Sequence, residues 1–153
     1  MEKTAGVIDP TTIPDQQAGR RRGTGARRAR RALVILAALA AALLDWVLWA
    51  KITGVDLVVD QGFGPQAVQP VLVAAAPILS GLSAWLLLAF LERFAGRRAT
   101  TVWRVIAAVV LLVSLWSPIT MALSVTAAIA LVSMHVVVGA IFIAGLPGRR
   151  LGR

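Results

Sequence analysis

ALVILAALAAALLDWVLWA, residues 32–50, is the stretch that decides the fold. Its nineteen residues carry one charge, Asp45. At about 1.5 Å per residue a helix of that length crosses roughly the 30 Å hydrocarbon core of a bilayer. A basic start followed by an apolar run also fits a signal peptide. This run is long for one, however, and ends in Trp46, Trp49 and Lys51 without a small-residue cleavage site, before a chain that is equally apolar. It reads as a retained transmembrane helix.

Upstream, residues 1–31 hold Pro10, Pro14, several glycines and few apolar side chains, a composition that predicts a disordered tail. The tail ends in Arg20, Arg21, Arg22, Arg27, Arg28, Arg30 and Arg31. Downstream, Lys51 to Pro70 is a long connection in which Val55, Leu57 and Val59 alternate with Asp56 and Asp60. The alternation predicts a short strand at the membrane surface, and Gly62, Gly64, Pro65 and Pro70 predict irregular chain after it.

Three further apolar runs follow, at 71–91, 102–117 and 122–146. Pro77 is expected to kink the second span. Two small-residue registers, Ala76–Ser80–Ala84 and Pro77–Gly81, suggest close helix approach and a central place for that span. Ser117–Pro118 is expected to end the third. Residues 147–153 form a second basic tail with Arg149, Arg150 and Arg153.

Orientation follows from the basic residues. Of the sixteen Lys and Arg, all but Lys51 fall in the N-terminal tail, in the link after span two with the start of span three, or in the C-terminal tail. An even number of spans puts these three regions on one side, and the positive-inside bias makes that side the cytoplasm. The expected fold is therefore an all-α, membrane-embedded four-helix bundle, both termini cytoplasmic, in a bacterial inner membrane. Trp46, Trp49, Trp116 and Trp103 fall near span ends, where indoles favour the interface, and Trp85 lies deeper.

Composition narrows the chemistry. The chain of 153 residues is 58% hydrophobic and 15% charged, with mean hydropathy +0.80. It has no cysteine and one histidine, so disulfides, thiolate metal sites, cysteine nucleophiles and histidine clusters are excluded. Gly62-Phe63-Gly64-Pro65 lacks the Lys-Ser/Thr of a phosphate-binding loop. No nucleophile–base pair can be assembled from motif spacing, so the expectation is a protein that is not an enzyme and carries no cofactor. The net charge of +9 sits at the membrane flanks and lacks the interleaved aromatics of a nucleic-acid surface. It points to the bilayer, and to anionic headgroups facing the seven tail arginines.

Gly54-Val55-Asp56-Leu57, Leu88-Ala89-Phe90-Leu91-Glu92-Arg93, Trp103, Ser114-Leu115-Trp116-Ser117-Pro118 and Met134-His135 occur in an order and spacing that carry a resemblance. The chain resembles an uncharacterised family of small four-helix membrane proteins from high-GC Gram-positive bacteria, over about residues 31–146. The resemblance implies the architecture and assigns no catalytic or binding residue.

Two ionisable residues lie within spans. Asp45, five residues before Ala50, is either a proton or cation site or a carboxylate near the outer interface paired with Lys51. His135, near the middle of span four, is either a neutral packing histidine or half of a proton relay with Asp45, with Ser80, Ser83 and Ser114 as other partners. Asp56 and Asp60 supply too few oxygens for a divalent-cation site and read as a solvated loop. Two functions are carried forward. One is a structural or accessory membrane component, acting as a homo-oligomer or within a membrane complex. The other is a small oligomeric proton-coupled transporter using Asp45 and His135, similar to the small multidrug exporters in architecture alone.

Overall fold

The computed structural model describes residues 12–147, with side chains from Gly25 onward. Four helices are each long and apolar enough to cross a membrane: Gly25–Ile52, Pro70–Phe94, Gly96–Met121 and Val125–Gly145. The all-α membrane bundle expected from the sequence is the fold.

Helix α1 runs Thr12–Val47 and continues as a π-helical turn, Leu48–Ile52. The tail expected to be disordered through Arg31 is thus helical from Thr12, and residues 1–11 lie outside the described residues. The physical reason is propagation: once the span has nucleated a helix, each added residue costs little, and the Arg and Ala of 26–31 are good helix formers. The π turn is closed by Thr53 N–H to Leu48 O at 2.9 Å, while Thr53 Oγ1 donates to Trp49 O at 2.7 Å.

The connection holds a hairpin: the short strand expected, set at Val58–Asp60, and a second strand where irregular chain was expected. Strands β1 (Val58–Asp60) and β2 (Pro65–Ala67) pair antiparallel, with Asp60 opposite Pro65. The glycines read as breakers form the turn instead. Gly62 and Gly64 sit at φ 93° and 92°, and their amides donate to Asp60 Oδ1 at 2.8 and 3.2 Å. Pro65 opens β2, a place where a missing N–H is tolerated. On its other edge β1 meets the entry to the last helix, through a Val59–Ala122 bridge and Leu123 N–H to Val58 O at 3.1 Å.

Helix α2 (Pro70–Phe94) begins with proline in its first turn and contains Pro77. Helix α3 (Ala99–Ser114) is followed after Leu115 by α4 (Trp116–Met121), and together they make the third span. The span is therefore interrupted at Leu115, just before Ser117–Pro118, and does not end there. Pro118 has no N–H for the Ser114 carbonyl, whereas Ile119 N–H still reaches Leu115 O at 3.4 Å. Helix α5 (Val125–Gly145) is capped by Ser124, whose Oγ accepts from Ala127 N–H at 3.1 Å.

The helices stand in a square: α1 packs on α2 and α5, and α3 on α2 and α5. No helix is central, and α1 and α5 share the most extensive seam, so the central place expected for span two is not observed. Of its two small-residue registers, Pro77 and Gly81 are buried while Ala76 and Ser80 are exposed. A Cβ on Gly81 would come within 2.8 Å of Ile35 Cγ1 and 3.0 Å of Phe142 Cζ, so the absent side chain is what lets α1 and α5 close on α2. The core divides by depth. Ala42, Leu57, Val73, Ala127, Ala130, Leu131 and Met134 fill the hairpin end. Ile35, Ala38, Leu88, Trp103, Phe142 and Leu146 fill the arginine end. Trp103, expected at an interface, is 3% exposed.

Candidate functional site: the polar seams of the bundle

Asp45 on α1 and Trp49 in the π-helical turn that continues it are four residues apart. Both reach Ser133 on α5. Trp49 Nε1 donates to Ser133 Oγ at 3.0 Å, and Ser133 Oγ lies 2.8 Å from Asp45 Oδ2 and 2.7 Å from the carbonyl oxygen of Ala130. With the helix continuing to Ile52, Asp45 is about 10 Å from the end of its span, deeper than the sequence suggests. The expected pairing of Asp45 with Lys51 does not form: Lys51 Nζ lies over the Trp46 ring, 5.6 Å from its centroid. Trp46 Nε1 donates in turn to Val68 O at 3.1 Å, tying α1 to the chain that leaves the hairpin.

His135 is not joined to Asp45. Its Nδ1 lies 2.7 Å from Leu131 O on its own helix. Two residues along a helix is about 200°, so Ser133 and His135 leave α5 on nearly opposite sides. His135 instead shares a face with Gly139, one turn on, where a Cβ would meet Leu111 of α3 at 2.7 Å. The other expected partners all bond within their own helices: Ser80 to Ala76 O, Ser83 to Leu79 O and Ser114 to Leu111 O. The relay expected from Asp45 and His135 thus has no direct hydrogen bond, and the residue that bonds Asp45 is Ser133.

The arginine end carries a second seam. The Arg30 guanidinium donates to the carbonyls of Gly145 and Leu146 at 2.8 Å and of Pro147 at 3.3 Å. Gly145 carries the last carbonyl of α5, and Leu146 and Pro147 follow it directly; carbonyls at a helix end have no partner within the helix and form the negative end of its dipole. Arg31, 4% exposed, forms an ion pair with Glu92 at the end of α2. Two buried donors at this end, Arg31 Nε and Trp103 Nε1, have no partner among the described residues. Arg30 and Arg31, expected to meet lipid, are engaged within the bundle, whereas Arg27 and Arg28 are exposed. Of the side chains of Arg20, Arg21 and Arg22, and of Arg149, Arg150 and Arg153, nothing is described.

At the hairpin end Asp60 is engaged by the two turn amides, and Asp56 lines an open groove of about 460 Å³ with Val55, Val58, Leu123, Ser124 and Thr126. Among the described residues no group of three or more His, Asp or Glu side chains is placed to hold a metal ion.

A model of a family of unknown function (DUF6069) matches residues 22–152. The chain belongs to this family. The matched region takes in all four spans, the Arg30 cap and the Arg31–Glu92 pair, and reaches further into both basic flanks than the motif order suggested. No curated protein and no solved structure matches the chain.

Ser133 and Arg30 are the residues that sequence reasoning missed in these roles. A signal existed for each. Ser133 lies eight residues into α5 and Asp45 seven before the end of the first span, so antiparallel helices bring them to similar depth. Arg30 precedes the first span at the end where α5 stops.

Proposed function

We propose that this protein is a non-enzymatic structural or accessory component of a bacterial cytoplasmic membrane, with both termini in the cytoplasm. One observation carries the proposal: several of its polar side chains bind one element to another. Arg30 holds the end of α5, Arg31 holds α2 through Glu92, Trp49 and Asp45 hold α5 through Ser133, and Trp46 holds the hairpin connection. Such a chain is built to present a fixed surface within the bilayer. The exposed Arg27, Arg28, Arg93, Arg97, Arg98 and Arg104 then face anionic headgroups, each contributing about 1 kcal/mol near a charged surface. Crosslinking in native membranes, followed by identification of the adducts, tests the accessory role. A reproducible stoichiometric protein partner supports it, and recovery of the chain with lipid alone counts against it.

Asp45 within its span favours a second reading, the small oligomeric proton-coupled transporter, though His135 turns away from it. Proton-linked flux that survives Asp45→Asn and His135→Gln unchanged removes that reading.

A further inference from the structure

The turn between α2 and α3 concentrates positive charge. The chain reverses there through Gly96–Arg98, with Gly96 at φ 50°. Arg93 precedes the turn, Arg97 and Arg98 form it, and Arg104 follows about one and a half turns into α3. The long side chain of Arg104 can reach back to the same layer. All four arginines are exposed. Within residues 90–104 the one acid is Glu92, and it is engaged by Arg31. Among the described residues none of the four has an ion pair, and none holds a helix end as Arg30 does. The end of α2 and the start of α3 meet here, so their dipoles oppose and the guanidinium charge is left uncompensated. Repulsion among like charges so close together is relieved by an anion from outside the chain.

An apolar step adjoins this charge. Phe90 and Phe94, on the last turns of α2, are exposed, and their ring centroids are 4.5 Å apart. Arg93 is three residues from Phe90 and neighbours it on the helix surface. Both helices belong to spans, so the turn between them lies at an edge of the hydrocarbon core.

We propose that the α2–α3 turn is a binding site for an anionic phospholipid, in which Arg93, Arg97, Arg98 and Arg104 hold the phosphate and Phe90 and Phe94 take the start of the acyl chains. A guanidinium fork pairs with two phosphate oxygens at once. A zwitterionic headgroup brings its own cation to the same place, so the site favours phosphatidylglycerol over phosphatidylcholine. The inference rests on the reading that the exposed arginines face headgroups, and it deepens that reading by placing the preference at this turn rather than along the whole basic flank.

Electron paramagnetic resonance of the full chain in phosphatidylcholine nanodiscs, doped with a spin-labelled lipid, reads the lipid held at the protein. Labelled phosphatidylglycerol is expected to be held about fivefold over labelled phosphatidylcholine, the factor that one guanidinium contributes near anionic lipid. Arg97→Gln with Arg98→Gln should remove most of that preference. Arg27→Gln with Arg28→Gln takes the same charge from α1 and is expected to lower it clearly less. Equal loss in the two double variants means diffuse attraction along the flank. That result overturns the site and leaves the headgroup-facing reading standing. No preference in the unmodified chain overturns both. Should the Arg97/Arg98 variant fail to insert, photoactivatable phosphatidylglycerol crosslinked to the unmodified chain decides the matter. Adducts concentrated in residues 90–104 support the site, and adducts spread evenly over the arginine end overturn it.

Discussion

Ser133 shows how one hydroxyl joins two helices inside a bilayer. Ser133→Ala leaves the Trp49 N–H and the Asp45 carboxyl group without their partner, a loss of about 1–3 kcal/mol. Ser133→Thr keeps the hydroxyl and is expected to recover most of it. Denaturation in mixed micelles, followed by circular dichroism, reads the difference. Arg31 and Glu92 give a second, asymmetric expectation. Glu92→Gln strands a cation that is 4% exposed and costs about 1–3 kcal/mol, a figure reduced because Glu92 itself is partly exposed. Arg31→Met leaves a carboxylate that water can reach and removes a buried Nε that has no partner, so it costs less. Equal losses in the two variants would count against this account. At this scale the sequence marked the costly residues but not their partners. Asp45 and His135 stand out because charge and imidazole are rare in an apolar run. Ser133 does not, because serine is common in spans and its partner is set by the rotation of α5, which composition does not encode.

The elements repeat this division between what hydropathy writes and what local chemistry decides. The four apolar runs gave the spans, yet their ends moved wherever a side chain or a proline controlled the backbone. Arg30 at the end of α5 is a case in point. Arg30→Met removes the donors that hold the last carbonyls, and faster hydrogen exchange is expected in the final turn, through Leu146 N–H. Arg30→Lys keeps the charge but loses the fork that spans three carbonyls, so it should fall between. Exchange unchanged in both would show that water serves the carbonyls equally well. Gly81 tests helix approach. In Gly81→Ala the new Cβ meets Ile35 and Phe142, and overpacking of about 1–3 kcal/mol outweighs the roughly 0.5–1 kcal/mol that alanine contributes to a helix. Gly81→Leu, which forces the helices apart, should fail to give a monodisperse protein. The hairpin is where the sequence was least legible. Glycine and proline signal a break in periodic structure, and the same residues build a two-strand turn once Asp60 accepts both glycine amides.

Across the whole molecule, the charge pattern and the geometry converge on one polarity. Arg30, Arg31, Glu92 and Leu146 meet at one end, and the hairpin and the entry to α5 meet at the other, so among the residues whose side chains are described every Arg belongs to the first end and Lys51 to the second. The proposed orientation places that end in the cytoplasm. The chain contains no cysteine, so a single introduced thiol reports its own position without background. Ala26→Cys, exposed at the arginine end of α1, and Gln61→Cys, exposed in the hairpin, leave every charge in place. In intact cells a membrane-impermeant maleimide should label Gln61→Cys at once and Ala26→Cys only after the membrane is opened. The reverse pattern would invert the orientation and set this chain against the positive-inside bias. Labelling of both in intact cells would mean that copies insert in two orientations, as antiparallel pairing in a small exporter requires. The accessory proposal would then yield to the transport reading, because a bundle that presents opposite faces to one compartment does not offer a partner there a single fixed surface.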